Sequence, residues 1–169
     1  MDSRRACIHE AGHFYLAFKY RPSRAHSIRS SRQSRTDSST GEPYDSLGET
    51  CTVDPPDGQP QIIVSIRAAG LAAESLVYNE SYEDLMGNAT IRFRIKTDTD
   101  HAKRDLEKAE LMFPSSTDEQ FLFFWRIGFD NAVIMMSSSQ DKLHCIADYL
   151  LANPDREILR AELVEKCDL

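Results

Sequence analysis

The sequence predicts a mainly α-helical domain with a small β-hairpin or sheet element. Apolar residues recur at helical spacing along most of the chain, whereas only two short stretches have β-like composition. The length of 169 residues corresponds to one domain, and 41% hydrophobic with 28% charged residues is typical of a globular protein. We therefore expect a single domain over residues 1–169.

The first predicted helix covers residues 4–20, and a hairpin-like region follows it. Seven of the eighteen residues 23–40 are serine, and arginines are frequent among the others. Such a composition cannot build a core, so we expect a flexible Ser/Arg-rich loop over residues 23–48. The stretches Ala25–Ser30 and Glu49–Val53 at its flanks are β-like.

Apolar periodicity predicts further helices after the proline-rich break at 54–60. The first of them is rich in alanine and glycine, so another helix can approach it closely. A β-like stretch, Ile91–Ile95, is expected in the connection before the next helix. The predicted helices cover residues 61–78, 98–113, 117–136, 139–152 and 155–167.

Charge and cysteine content exclude several classes of protein. A formal net charge of −7 argues against a dedicated nucleic-acid-binding protein. We see no apolar run long enough to span a membrane and no signal-peptide core, so we expect a cytoplasmic protein. The four cysteines form no CxxC pair. We therefore expect reduced thiols rather than disulfides or a cysteine-rich zinc site.

The string HEAGH at residues 9–13 contains candidate metal ligands and a candidate general base. Spacing of four places His9 and His13 one turn apart on the same helix face, where both imidazoles can bind one zinc ion. Glu10 is displaced by about 100° around the helix, so it can reach a zinc-bound water without being a ligand. This pattern is typical of zinc metallopeptidases, with Glu10 as the general base.

Zinc in a catalytic site needs a third protein ligand and leaves one position for water. Cysteine, histidine, aspartate and glutamate are all admissible, and the HEAGH string does not choose among them.

Gly12 of the HEAGH string lowers helix stability by roughly 1 kcal/mol relative to alanine at the same position. We therefore expect either a close helix contact or a need for space at that residue.

Several segments together resemble the FtsH-type (M41) zinc metallopeptidases. The string Ile8 to His13 is similar to the zinc helix of that family, and Ile63–Tyr78 resembles its small-residue helix. Asp98–Phe113 resembles the next helix, which supplies an aspartate ligand, and Leu143–Cys167 resembles the closing helices. The resemblance implies a stand-alone peptidase domain without the ATPase module, acting on a polypeptide independently of ATP.

The family's ligand aspartate corresponds to one of three residues in this chain. Asp98 is favoured because Ala102 follows it at the family's spacing and a helix of the expected length remains. Asp105 lies at the edge of the same apolar face, whereas Asp100 is expected to face solvent. His101 and His144 are further alternatives for the third ligand.

The resemblance also matches Glu74 to the acid of the small-residue helix, where it would orient a ligand histidine. A β-edge near Ala25–Ser30 would align a polypeptide substrate by strand addition. Two functions remain open: a zinc-dependent endopeptidase, or an inactive peptidase-like zinc-binding domain that binds a partner protein. Either is compatible with a homo-oligomer.

Overall fold

A computed structural model of the chain describes residues 3–36, 43–53, 59–89, 91–110 and 117–169. These residues form a mainly helical protein with a small antiparallel sheet, which confirms the predicted fold class. The helices are α1 (Ser3–Tyr20), α2 (Pro60–Tyr78), α3 (Tyr82–Gly87), α4 (Arg92–Lys108), α5 (Asp118–Met136), α6 (Gln140–Ala152) and α7 (Arg160–Cys167). The strands are β1 (Ala25–Thr36), β2 (Pro43–Val53) and β3 (Glu157–Leu159).

Local signals in the sequence explain where several helices begin and end. Pro60 occupies the first turn of α2, where its missing N–H costs nothing. The helix ends at Asn79, which adopts a left-handed conformation with φ of 54°. Thr117 caps α5 through a reciprocal pair of hydrogen bonds with Gln120, and Ser81 caps α3 in the same way with Asp84.

The three strands are arranged in the order β2-β1-β3, with both pairings antiparallel. Ile28 in the central strand lies opposite Cys51 of β2 and opposite Ile158 of β3. The prediction of an open edge at Ala25–Ser30 is therefore wrong, because β3 already pairs with β1 there. A three-residue strand gives too short a periodic pattern to be seen in the sequence.

The predicted loop over 23–48 is also replaced by strands in the described residues. The two strands pair from Ala25 with Val53 to Thr36 with Pro43, so the hairpin is much longer than its β-like flanks. Backbone hydrogen bonds along a ladder do not depend on apolar side chains, and composition alone therefore underestimated the strand lengths. The tip of the hairpin, residues 37–42, lies outside the described residues.

Helix α2 lies at the centre of the helical part, between α1 and α5, and its neighbours approach closely through glycine. A Cβ atom added at Gly12 of α1 would lie 2.3 Å from the carbonyl oxygen of Ala69. One added at Gly128 of α5 would lie 2.6 Å from Val64. The close approach predicted for the small-residue helix is thus confirmed. Helix α2 is long and apolar enough to span a membrane by length and composition, but most of it is buried inside the protein.

Several boundaries differ from the sequence predictions. The β-like stretch Ile91–Ile95 lies at the start of α4, which covers Arg92–Lys108 instead of 98–113. Ile91 and Ile95 are buried one turn apart, so their spacing fits a helix as well as a strand. The connection at 79–97 contains α3, and the last predicted helix, 155–167, is divided into β3 and α7.

The expectation of four reduced cysteines is wrong. Cys145 of α6 and Cys167 of α7 form a disulfide bond, with their Cα atoms 5.6 Å apart. The two residues are 22 positions apart in the sequence, and they meet because α7 packs back against α6. Cysteine spacing in the sequence cannot reveal such a pairing between helices. Cys7 is a buried free thiol.

Candidate metal centre

Two helices, α1 and α4, bring the candidate ligands together. Helix α1 carries His9 and His13, and the Nε2 atoms of these residues lie 3.2 Å apart. Helix α4 carries Asp98, whose Oδ2 lies 3.0 Å from His9 Nε2 and whose Oδ1 lies 3.5 Å from His13 Nε2. All three side chains are buried. The predicted histidine pair and the favoured aspartate therefore meet at one point.

The orientation of each imidazole is fixed by a hydrogen bond from its other nitrogen. His9 Nδ1 lies 2.8 Å from Glu74 Oε1, and His13 Nδ1 lies 2.7 Å from the carbonyl oxygen of Ile66. Both partners only accept hydrogen bonds, so we assign the hydrogen of each neutral ring to Nδ1. The lone pair of each Nε2 is then directed toward the other ring and Asp98.

The spacing of these atoms fits zinc. Two ligands at about 2.0–2.1 Å from a tetrahedral zinc ion are roughly 3.3–3.4 Å apart. The three separations between His9, His13 and Asp98 are 3.2, 3.0 and 3.5 Å. Asp98 Oδ2 is buried and accepts no hydrogen bond from the residues that the structure describes. Two nitrogens and a buried carboxylate oxygen without a hydrogen-bond donor form a suitable donor set for this metal.

Gly70 of α2 leaves the space that a metal ion would need. A Cβ atom at this residue would lie 2.5 Å from His9 Nε2 and 2.6 Å from His13 Nε2. Such an atom would occupy the region in which an ion bound to both nitrogens has to lie. The absence of a side chain at Gly70 is therefore part of the site.

Glu10 lies beside the histidine pair, as the HExxH spacing requires. One of its carboxylate oxygens and one ring nitrogen of each histidine all lie within 4.8 Å of one another. Glu10 is itself buried. Asp98 contacts the histidines directly, so we assign the third ligand position to Asp98 and the role of a neighbouring base to Glu10.

The competing residues for the third ligand have other partners. Asp105 accepts hydrogen bonds of 2.6 and 2.8 Å from Arg67. Asp100 is paired with Lys96 on the surface, as its expected solvent-facing position implies. His144 contacts Arg4, and His101 is half-buried, where burial, Arg67 and Arg104 lower its pKa. Asp98 is thus the candidate that contacts both imidazoles.

Glu74 is fully buried and accepts hydrogen bonds from three side chains. Its Oε1 accepts hydrogen bonds from His9 Nδ1 and from Arg94 Nη2, at 2.8 and 2.9 Å, and its Oε2 accepts one from Arg5 Nε. Burial favours the protonated carboxyl, but His9, Arg94 and Arg5 outweigh it and lower the pKa of Glu74 to about 2. The residue is therefore an ionised acceptor for the His9 N–H.

The electrostatics of the site favour an added positive charge. Burial lowers the pKa of His9, but the carboxylates of Asp98 and Glu74 outweigh burial and raise the pKa to about 10. Burial of Asp98 is likewise outweighed by His13 and His9, which hold the pKa of the carboxyl below its usual range. Either a proton on His9 or a metal ion can supply this positive charge. A metal ion that binds there displaces the proton.

Sequence reasoning missed three residues of the site: Gly70, Arg5 and Arg94. A signal for the arginines was present, because Arg5 precedes His9 by four residues and Arg94 precedes Asp98 by four. This spacing places each arginine on the helix face of a candidate ligand. Gly70 had no such signal. A glycine in an alanine-rich helix indicates close packing, but it does not indicate which residues pack against it.

The sequence matches no protein-family model. The comparison with curated proteins also finds no significant match.

Proposed function

We propose that this chain is a zinc-dependent metalloendopeptidase of the FtsH type. The observation that carries the proposal is the convergence of His9, His13 and Asp98, with Glu10 beside them. Glu74 of α2 and Asp98 of α4 both contact His9, as the resemblance to that family leads us to expect, and this supports the proposal. A structural zinc site has no use for the extra carboxylate of Glu10. The arrangement therefore favours catalysis over a purely structural site.

When bound, zinc would lower the pKa of a water molecule and polarise the scissile carbonyl of a peptide. Glu10 would accept the proton of the attacking water and pass it to the leaving amine. Its burial next to the histidines keeps that carboxylate within reach of the reacting atoms. His9 and His13 would hold the metal through Nε2, with their rings fixed by Glu74 and the Ile66 carbonyl.

The proposed substrate is an extended polypeptide segment. Because β1 is paired on both sides at Ser27–Arg29, a substrate strand cannot be added there. The outer edge of β2 has no strand partner among the described residues, and β2 contacts α1, the helix that carries the HEAGH string. We propose this edge as the place where a substrate would pair by strand addition.

The proposal is tested by measuring zinc content and casein or peptide cleavage for the wild type and Glu10→Gln. Loss of a general base costs about 10²–10⁴ in rate, so Glu10→Gln should retain zinc and lose most of its activity. Glu165→Gln, at an exposed position of α7, is the matched control. A zinc-loaded wild type that cleaves nothing would instead support the inactive zinc-binding domain, and an active Glu10→Gln would exclude Glu10 as the base.

A further inference from the structure

We propose that Arg94 is a positioning residue of the metal centre, which it influences through Glu74. The inference rests on the proposed zinc site. Arg94 Nη2 donates to Glu74 Oε1 at 2.9 Å, and the same oxygen lies 2.8 Å from His9 Nδ1. Arg94, Glu74 and His9 thus form a continuous chain of contacts that ends at a candidate metal ligand.

The chain links all three helices of the site. Helix α4 carries Arg94 one turn before Asp98, and α1 carries Arg5 one turn before His9. Both arginines reach Glu74 of α2. Each of the helices that carry metal ligands therefore also supplies a cation to the same buried carboxylate. Movement of either helix relative to α2 would disturb a ligand and its arginine together.

The two arginines differ in how closely they are tied to Glu74. Arg5 also pairs with Glu80 and lies over the ring of Tyr78, at 5.0 Å from its centroid. A substitution of Arg5 would therefore disturb several contacts outside the site. Arg94 donates to the oxygen that accepts from His9, so its substitution tests the chain of contacts more directly.

Charge balance explains why Glu74 needs these arginines. A fully buried carboxylate is costly unless it is paired and hydrogen-bonded. With Arg94 removed, Glu74 Oε1 would lose one of the two side chains that fix its position, so the carboxylate would be free to turn away from His9 Nδ1. The His9 ring would then be less firmly held in the orientation that directs Nε2 toward Asp98. Loss of such a partner behind a metal-bound histidine lowers metal affinity about 10- to 100-fold.

The test measures the Kd for Zn²⁺ of the apoprotein by competition with a chromophoric chelator. The variants are Arg94→Gln, Glu74→Gln and the double variant, with Arg92→Gln as control because Arg92 is exposed on the same helix. We expect Arg94→Gln to weaken binding about 10- to 100-fold. Since Arg94 acts through Glu74, the double variant should bind within about twofold of Glu74→Gln. Arg92→Gln should bind like the wild type.

Circular dichroism and the unfolding midpoint of each apoprotein separate positioning from structural support. A residue with only a structural role would lower the midpoint and leave Kd unchanged. If Arg94→Gln does not fold, Arg94→Lys is measured in the same way. It keeps the charge but not the planar guanidinium, and about a tenfold loss of affinity is expected.

Two results would overturn the inference while leaving the proposed function intact. One is a zinc affinity of Arg94→Gln within twofold of the wild type. The other is a double variant whose loss of zinc affinity equals the product of the losses in Arg94→Gln and Glu74→Gln. A wild type that binds no zinc would overturn the proposed function and this inference together.

Discussion

The Nε2 atoms of His9 and His13 lie 3.2 Å apart, while the Nδ1 atom of each ring is engaged by a different acceptor. When both rings are neutral, as metal ligands are, they direct two lone pairs at each other, with the Asp98 carboxylate beside them. This arrangement favours a cation among the three side chains, which is a proton on His9 or a metal ion that displaces it. A shared cation is therefore the simplest account of the arrangement.

Gly70→Ala should weaken zinc binding without removing a ligand. The added Cβ would lie 2.5–2.6 Å from both Nε2 atoms, in the space where the ion must lie. We expect the zinc affinity to fall by about tenfold or more, as for other disturbances of a metal site. Equilibrium dialysis against zinc measures this, with Gly87→Ala as control because nothing lies within 4 Å of a Cβ there. Wild-type affinity in Gly70→Ala would contradict the assigned position of the metal.

Replacing the three candidate aspartates one at a time should separate the ligand from its neighbours. Asp98→Ala removes the carboxylate that contacts both imidazoles, so stoichiometric zinc binding should be lost. Asp100→Ala should bind zinc like the wild type, because Asp100 is paired with Lys96 on the surface.

Asp105→Ala should lower stability rather than zinc affinity, since it leaves Arg67 without its carboxylate partner. Isothermal titration calorimetry of the three apoproteins with zinc gives the comparison. Retained zinc in Asp98→Ala together with loss in Asp105→Ala would reverse the ligand assignment.

Gly12→Ala should destabilise the fold itself, in contrast to Gly70→Ala. Its Cβ would lie 2.3 Å from the Ala69 carbonyl oxygen and 2.7 Å from Ala73 Cβ, so α1 and α2 would have to separate. Overpacking of this kind costs about 1–3 kcal/mol. Urea unfolding of the apoprotein should show a lowered midpoint, whereas Gly87→Ala should leave it unchanged or raise it slightly. An unchanged midpoint in Gly12→Ala would contradict the close helix contact.

The disulfide between Cys145 and Cys167 predicts that thiol titration of the denatured, unreduced protein finds at most two of the four cysteines free. A bridge closing a loop of this length contributes about 3 kcal/mol in the chain-entropy account. Cys145→Ser should therefore lower the thermal midpoint. Zinc affinity should be unchanged, because His9, His13 and Asp98 all lie outside α6 and α7. Four free thiols in the titration would refute the pairing.

The sequence alone was sufficient to identify the HEAGH helix and most other helices. The spacing of His9, Glu10 and His13 is a local property of one helix, and periodicity identifies helices well. Asp98 was favoured over Asp105 because Ala102 follows it at the spacing of the family it resembles, and Asp98 does lie against both histidines. Its role as a ligand stays a prediction. Local patterns therefore account for much of the site.

Features that depend on contacts between distant segments were not predictable. The pairing of β3 with β1, which closes the expected edge near Ser27–Arg29, joins residues about 130 positions apart. The Cys145–Cys167 bridge and the contact of Gly70 with both imidazoles likewise depend on how helices pack. Long strands of Ser/Arg-rich composition carried no apolar alternation by which to recognise them. Most of these features depend on tertiary contacts, which local sequence patterns do not reveal.

X-ray absorption at the zinc edge of the wild-type protein, loaded with one equivalent of zinc, would identify the atoms that bind the ion. We expect one bound ion with two imidazole nitrogens and oxygen ligands at about 2.0–2.2 Å, and no sulfur. The oxygen contribution should change in Asp98→Ala. A spectrum of hydrated zinc, a sulfur ligand at about 2.3 Å, or fewer than two imidazoles would contradict a metal centre formed by His9, His13 and Asp98.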